Sequence, residues 1–135
     1  MTETNTAAAR MPADPDSRAV AVAAARAASD KQASRIVILD VRVPIVITDY
    51  FVICTASSAR QIRTVIDEIE RATRDMGVKP MRREGESEAG WWLLDYFDVV
   101  VHVFSEEDRE YYDLERLWRD APEVDWDGSE AASSG

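Results

Sequence analysis

The stretch that decides the fold is residues 45–77, IVITDYFVICTASSARQIRTVIDEIERATRDMG. Its first part, residues 45–55, is β-branched and aromatic, the composition of a strand. Both alternating sets are apolar there, Tyr50, Val52 and Cys54 on one side and Phe51 and Ile53 on the other. A strand with no polar side is covered on both faces, which places this one in the interior of a sheet. Ser58-Ala59-Arg60-Gln61 then fits a capping box, in which the serine hydroxyl accepts from the third helical N–H and the glutamine side chain reaches back. Ile62, Val65, Ile66, Ile69 and Met76 recur at three- and four-residue spacing, while Arg63, Asp67, Glu70, Arg71 and Arg74 take the other face. Gly77 suits the stop of that helix.

Upstream, residues 35–42 (RIVILDVR) read as another strand, and Pro44 breaks the run between the two. Residues 17–34 (SRAVAVAAARAASDKQAS) have high helix propensity and few large side chains, so a helix packed on a narrow contact is predicted, ending near Ser34. Residues 1–16 have no periodic apolar face and read as a flexible leader.

Downstream, a short strand is expected around residues 78–83, then a mobile polar loop at residues 84–90 (EGESEAG). WWLLDY and VVVHVF read as two antiparallel strands joined by a tight turn at Phe97-Asp98. Residues 106–121 carry Tyr111, Leu114, Leu117 and Trp118 at helical spacing, with Pro122 as the stop and a disordered acidic tail over residues 122–135. The order is helix, two strands, helix, three strands, helix. It implies an α/β fold, a mixed sheet of about five strands flanked by helices, in one domain spanning residues 17–121.

The chain of 135 residues, 46% of them hydrophobic, has material for one core. Its formal charge of -10 repels a phosphate backbone, so little direct nucleic-acid binding is expected and a basic protein is the better partner. The acidity is uneven: residues 1–83 hold 13 Lys or Arg against 10 Asp or Glu, and residues 84–135 hold 3 against 16. Cys54 is the single cysteine, which rules out an internal disulfide and suits a reducing, cytoplasmic compartment. No uncharged apolar run approaches the roughly 20 residues that cross a bilayer, so no membrane partner is expected.

Candidate chemistry is thin. Asp14/Asp16 and Asp125/Asp127 have the D-x-D spacing of two-metal sites but fall in the expected tails, and Glu84/Glu86/Glu88 fall in the loop, so no metal or cofactor is assigned. The turn Thr55-Ala56-Ser57-Ser58 lies at a helix start, where backbone N–H groups hold anions, yet capping already accounts for both serines. His102 sits alone among valines and Phe104 with no triad partner in sequence, and Cys54 has no activating cation beside it. The feature that stands out is aromatic content beside acid. Trp91, Trp92, Tyr96 and Phe97 lie with Leu94, Asp95 and Asp98 within eight residues, and Trp92, Leu94 and Tyr96 share one face of a strand. With acids flanking the segment, at least one aromatic is left exposed, a natural hot spot for an Arg- or Lys-bearing partner.

These residues resemble a known family. Thr48-Asp49-Tyr50-Phe51-Val52-Ile53, the helix start at Ser57 to Gln61, Glu84-Gly85, Trp92 through Asp95, Asp98 through Val103 (DVVVHV) and Arg109 through Trp118 (REYYDLERLW) are similar to the ribosomal silencing factor S family, also called Iojap. The likeness runs from about Ala23 to Ala121. It implies a nucleotidyltransferase-like fold without the catalytic carboxylates, and a non-enzymatic role: binding large-subunit ribosomal protein fourteen, blocking subunit association and so repressing translation. Carried over, the partner-binding set is Trp92, Leu94, Asp95, Tyr96 and Asp98, with His102 and Glu84. The alternatives are a divergent nucleotidyltransferase-like enzyme using the Ser57/Ser58 turn, and a self-associating regulator that forms a homodimer. Two positions depart from the family: Ala56 and Phe97 stand where it usually has glycine. The first weakens any phosphate loop. The second puts a bulky side chain at a turn suited to positive φ, so either the turn differs or Phe97 carries strain and adds to the contact surface.

Overall fold

The computed structural model describes residues 16–42, 48–85 and 90–127. Helix α1 (Ser17–Asp30) starts at Asp16, whose carboxylate accepts from the Ala19 amide at 2.7 Å, so this residue is a cap. The rest of the expected leader, residues 1–15, lies outside the described residues. The helix buries Val20, Ala21, Ala24, Ala25, Ala27 and Ala28. Such short side chains set a small interaxial distance, the narrow contact that the composition predicts. It ends before Ser34 because Gln32 takes φ 71° and Ser34 already begins the next strand.

Strands β1 (Ser34–Asp40) and β2 (Tyr50–Ala56) are antiparallel, and β2 runs parallel to β5 (Val99–Ser105). Strand β4 (Trp91–Asp95) is antiparallel to β5, and the short β3 (Arg82–Glu84) is antiparallel to β4. The sheet order is β1-β2-β5-β4-β3. This is the mixed five-stranded sheet expected, with β2 interior and buried at every residue but Phe51. Helix α2 (Ala59–Asp75) follows β2: Ser58 Oγ accepts from the Gln61 amide at 3.0 Å, and Gln61 Oε1 reaches back to the Ser57 amide at 2.6 Å. The Gln61 amide group also donates to the Lys31 and Gln32 carbonyls, which ties the start of α2 to the end of α1. Gly77, with φ 84°, closes the helix.

The sheet separates two cores. On the inner face Ile38, Tyr50, Val52, Cys54, Trp92, Leu94, Val99, Val101 and Val103 pack against α1 and against Ile62, Val65, Ile66 and Ile69 of α2. On the outer face Leu39, Val41, Ile53 and Phe104 form a smaller cluster with Val37, Phe51, Trp91, Leu114, Trp118 and Ala121.

Two expectations are corrected at the C-terminal end. The single helix over residues 106–121 is two pieces, α3 (Glu106–Tyr112) and α4 (Leu114–Leu117), broken at Asp113 with φ 49°. Leu114 and Trp118 pack on the outer face, whereas Tyr111 and Leu117 are 79% and 72% exposed. The break has a cause in Arg109, which is buried and bonds the Arg35 carbonyl at 2.6 Å, Thr55 Oγ1 at 2.9 Å and Glu115 at 2.6 Å. Positions six apart lie on different sides of a straight helix, so the bidentate Arg109–Glu115 pair requires the chain to fold back. Residues 122–127 are also no tail. Asp40 donates to the Pro122 carbonyl at 2.8 Å, Val124 donates to the Ile38 carbonyl at 2.9 Å, and Val124 and Trp126 join the inner core. Residues 128–135 lie outside the described residues.

Candidate partner-binding surface

Burial alternates along β4, and the alternation sorts the predicted site residues. Trp92, Leu94 and Tyr96 share a face as expected, but it is the inner one, and they are 7%, 0% and 8% exposed. In this fold they are core residues. Trp91 and Leu93 are as apolar as Trp92 and Leu94, and the register of pairing sets which of them turn inward. Trp92 lies opposite Val103 and Leu94 opposite Val101, and both valines fill the inner core. The guanidinium groups of Arg83 and Arg63 sit over the Trp92 ring at 5.0 and 5.8 Å. Gly85 closes against the same ring, where an added Cβ would stand 2.5 Å away. The Tyr96 hydroxyl bonds Thr73 Oγ1 at 2.9 Å, and burial pushes its phenol up to about 12.

The other set, Trp91, Leu93 and Asp95, belongs to the outer face. Pairing lines up Arg82, Asp95, Val100, Phe51 and Leu39 in one cross-strand row, and Glu84, Leu93, His102 and Ile53 in the next. Leu93, Val100, Phe51 and Trp91 are half-buried, leaving an apolar patch open to solvent beside the part that α3 and α4 cover. Acids stand at its margin. Glu84 is exposed and pairs with Arg82 at 2.9 Å. Asp95 Oδ2 accepts from Arg82 at 3.2 Å while its Oδ1 accepts from the Phe97 amide at 2.8 Å. The Asp98 carbonyl accepts from the Asp49 and Tyr50 amides at 2.8 and 3.1 Å, fastening the β4–β5 turn to the start of β2.

His102 lies beneath this patch, 6% exposed. Its Nδ1 accepts from Trp91 Nε1 at 3.1 Å, and its ring stands 5.2 Å from Phe51 and 6.1 Å from Phe104. Burial pushes the imidazole down to about 4, so it is neutral at physiological pH. It supports Trp91 from below.

Of the predicted set, therefore, Glu84 and Asp95 edge the outer face, Asp98 sits at the turn, His102 lies under the patch, and Trp92, Leu94 and Tyr96 are inside. Trp91 is among the aromatics of which an exposed one is expected, whereas Leu93, Val100 and Phe51 are not singled out from the sequence. The signal for Trp91 and Leu93 was the parity of Asp95, which marks them as its face-mates. At the other candidate positions, the Ser57 and Ser58 hydroxyls are both engaged with Gln61, and burial pushes the Cys54 thiol up to about 12. Glu86 and Glu88 lie outside the described residues.

The described residues form a small α/β domain with one sheet face half-open and aromatic, edged by Glu84 and Asp95 and the Arg82 that pairs with both. A family model described as "Ribosomal silencing factor during starvation" matches residues 14–135, and the chain belongs to that family. It is 43% identical to the ribosomal silencing factor RsfS of Bacillus subtilis over 104 residues, covering 77% of this chain and 88% of the relative. It is 40% identical to the protein of the same name from Halalkalibacterium halodurans over 105 residues, covering 78% of this chain and 90% of the relative. A crystal structure of a Chromobacterium violaceum protein superposes with a TM-score of 0.73 at 30% identity, over 77% of this chain and 87% of that one. Among the described residues no helix is long and apolar enough to cross a membrane.

Proposed function

We propose that this chain silences translation by docking on the large ribosomal subunit through ribosomal protein fourteen, where its bulk keeps the small subunit from joining. The family match supports the ribosome as the target, and one observation supports the mode: the outer face pairs a half-open apolar patch of Leu93, Val100, Phe51 and Trp91 with Asp95 and Glu84 at its rim. A desolvated apolar centre with a charged rim is the anatomy of an interface, and carboxylates at the rim suit a basic partner. No turnover is needed. Occupying the site is enough.

The test is co-sedimentation with purified large subunits. Leu93→Ala removes central contact area and should weaken binding at least about tenfold. Glu84→Ala, at the rim, should cost less than about threefold and mainly flatten the salt dependence. Wild-type binding by the Leu93 variant would remove the outer face from the assignment. Adding small subunits should yield fewer joined particles as the factor is titrated in, and undiminished joining at saturation would remove the steric mechanism.

A further inference from the structure

The β4–β5 turn carries a bulky side chain at a backbone position that favours glycine. Phe97 has φ 78°, the left-handed region where a side chain is disfavoured, and the Asp98 amide donates back to the Tyr96 carbonyl at 2.9 Å. That is a three-residue γ-turn of the positive-φ kind, rare and strained for any residue with a Cβ. Glycine would adopt it freely. The strain adds nothing to either core, because Phe97 is 53% exposed and joins neither cluster.

The surroundings hold it there. The Phe97 amide donates to Asp95 Oδ1 at 2.8 Å, and its carbonyl accepts from Thr48 Oγ1 at 3.3 Å. Tyr96 donates to the Val99 carbonyl at 2.8 Å, and the Asp98 carbonyl takes the Asp49 and Tyr50 amides. Both peptide groups of the phenylalanine are thus fixed by neighbours from β4 and from the approach to β2. A large apolar ring is presented to solvent on a rigid, strained support, with the carboxyl-bearing residues Asp95 and Asp98 on either side in sequence. Strain kept in this way, with nothing added to either core, marks a residue selected for a contact. An exposed aromatic face in the acidic half of the chain, where residues 84–135 hold 16 Asp or Glu against 3 Lys or Arg, suits a guanidinium, which stacks on the ring.

We propose that Phe97 is a preorganised anchor that sets this chain's affinity for its target by stacking on an arginine of the basic partner. The inference rests on the docking reading above. Two variants separate its consequences. Phe97→Gly relieves the strain and removes the ring, so it should raise Tm by about 5 °C while weakening large-subunit binding at least about tenfold. Phe97→Ala keeps the strain and removes the ring, so it should bind as weakly as the glycine variant without the gain in Tm. Opposite movement of stability and affinity is the expected signature; a merely structural turn residue would move them together. If the wild type binds purified large subunits and both variants match it, the anchor is refuted and the docking reading stands. If the wild type does not bind, the docking reading falls and takes the anchor with it.

Discussion

His102 shows what one buried polar atom sets on the outer face. Its Nδ1 takes the Trp91 indole N–H, so the ring must be neutral for Trp91 to hold its place. A base whose folded pKa is about 4 against an ordinary 6.5 binds fewer protons folded than unfolded between those values. Stability is therefore at its full value above pH 6.5 and falls as pH drops from 6.5 towards 4, by on the order of 3 kcal/mol in all. The carboxylates held low by arginine partners, Asp40, Glu68 and Glu115, begin to lose their contribution only near their ordinary values of 3.8 to 4.5, so between pH 7 and pH 5 the histidine dominates. Thermal melts at pH 7.0 and pH 5.0 should differ clearly for the wild type and much less for His102→Gln; equal slopes would mean that the imidazole is not neutral and buried. Gly85 gives a second residue-scale prediction. Its φ of 141° and the Trp92 ring 2.5 Å from any added Cβ both oppose a side chain. Gly85→Ala should cost about 2–4 kcal/mol in urea unfolding, and a cost below about 0.5 kcal/mol would show that the ring can move aside.

At the scale of elements, the least legible part of the sequence was the one with the most regular spacing. Tyr111, Leu114, Leu117 and Trp118 fit one face of a helix, yet Arg109 anchors the segment to the end of the sheet and pairs across the break with Glu115. A long-range hydrogen bond outweighed local periodicity. The prediction that follows concerns a guanidinium 2% exposed with a partner 33% exposed. Arg109→Met keeps the apolar stem but strands Glu115 and the Arg35 carbonyl, so it should cost about 3 kcal/mol and expose Trp118 to solvent. Unchanged amide hydrogen exchange over residues 114–118 would show that the pair does not hold α4 in place. The strands were easier to find, because β-branched runs and turn residues are local signals. The sequence leaves the choice of inner face to be settled by pairing: Asp95 groups Trp91 and Leu93 in one set, but that Trp92 and Leu94 turn inward follows from their pairing with Val103 and Val101, which is tertiary information.

Across the whole molecule, the chain uses its last described residues to tie the two cores together. It leaves the outer cluster at Trp118 and Ala121, crosses the free edge of β1, and enters the inner cluster at Val124 and Trp126. The crossing does more than bury two side chains. Leu39 bridges Glu123, Asp40 and Ile38 are bonded to Pro122 and Val124, and the Trp126 indole N–H reaches the Ile36 carbonyl at 3.3 Å while its own carbonyl takes Arg26 Nε at 3.1 Å. An uncovered edge strand is a template for another chain, and Ile36 and Ile38 would make this one adhesive. A chain ending at Ala121 should thus lose about 3 kcal/mol or more of stability and shift to larger species with rising concentration in analytical ultracentrifugation, compared with the full chain at the same concentrations. Val124→Pro provides the milder version, since it removes the one amide that donates to Ile38 while leaving Trp126 in the sequence. It should self-associate less than the truncation and more than the full chain. If both variants fold by circular dichroism and sediment like the full chain, then the edge of β1 is protected by something other than the segment that crosses it.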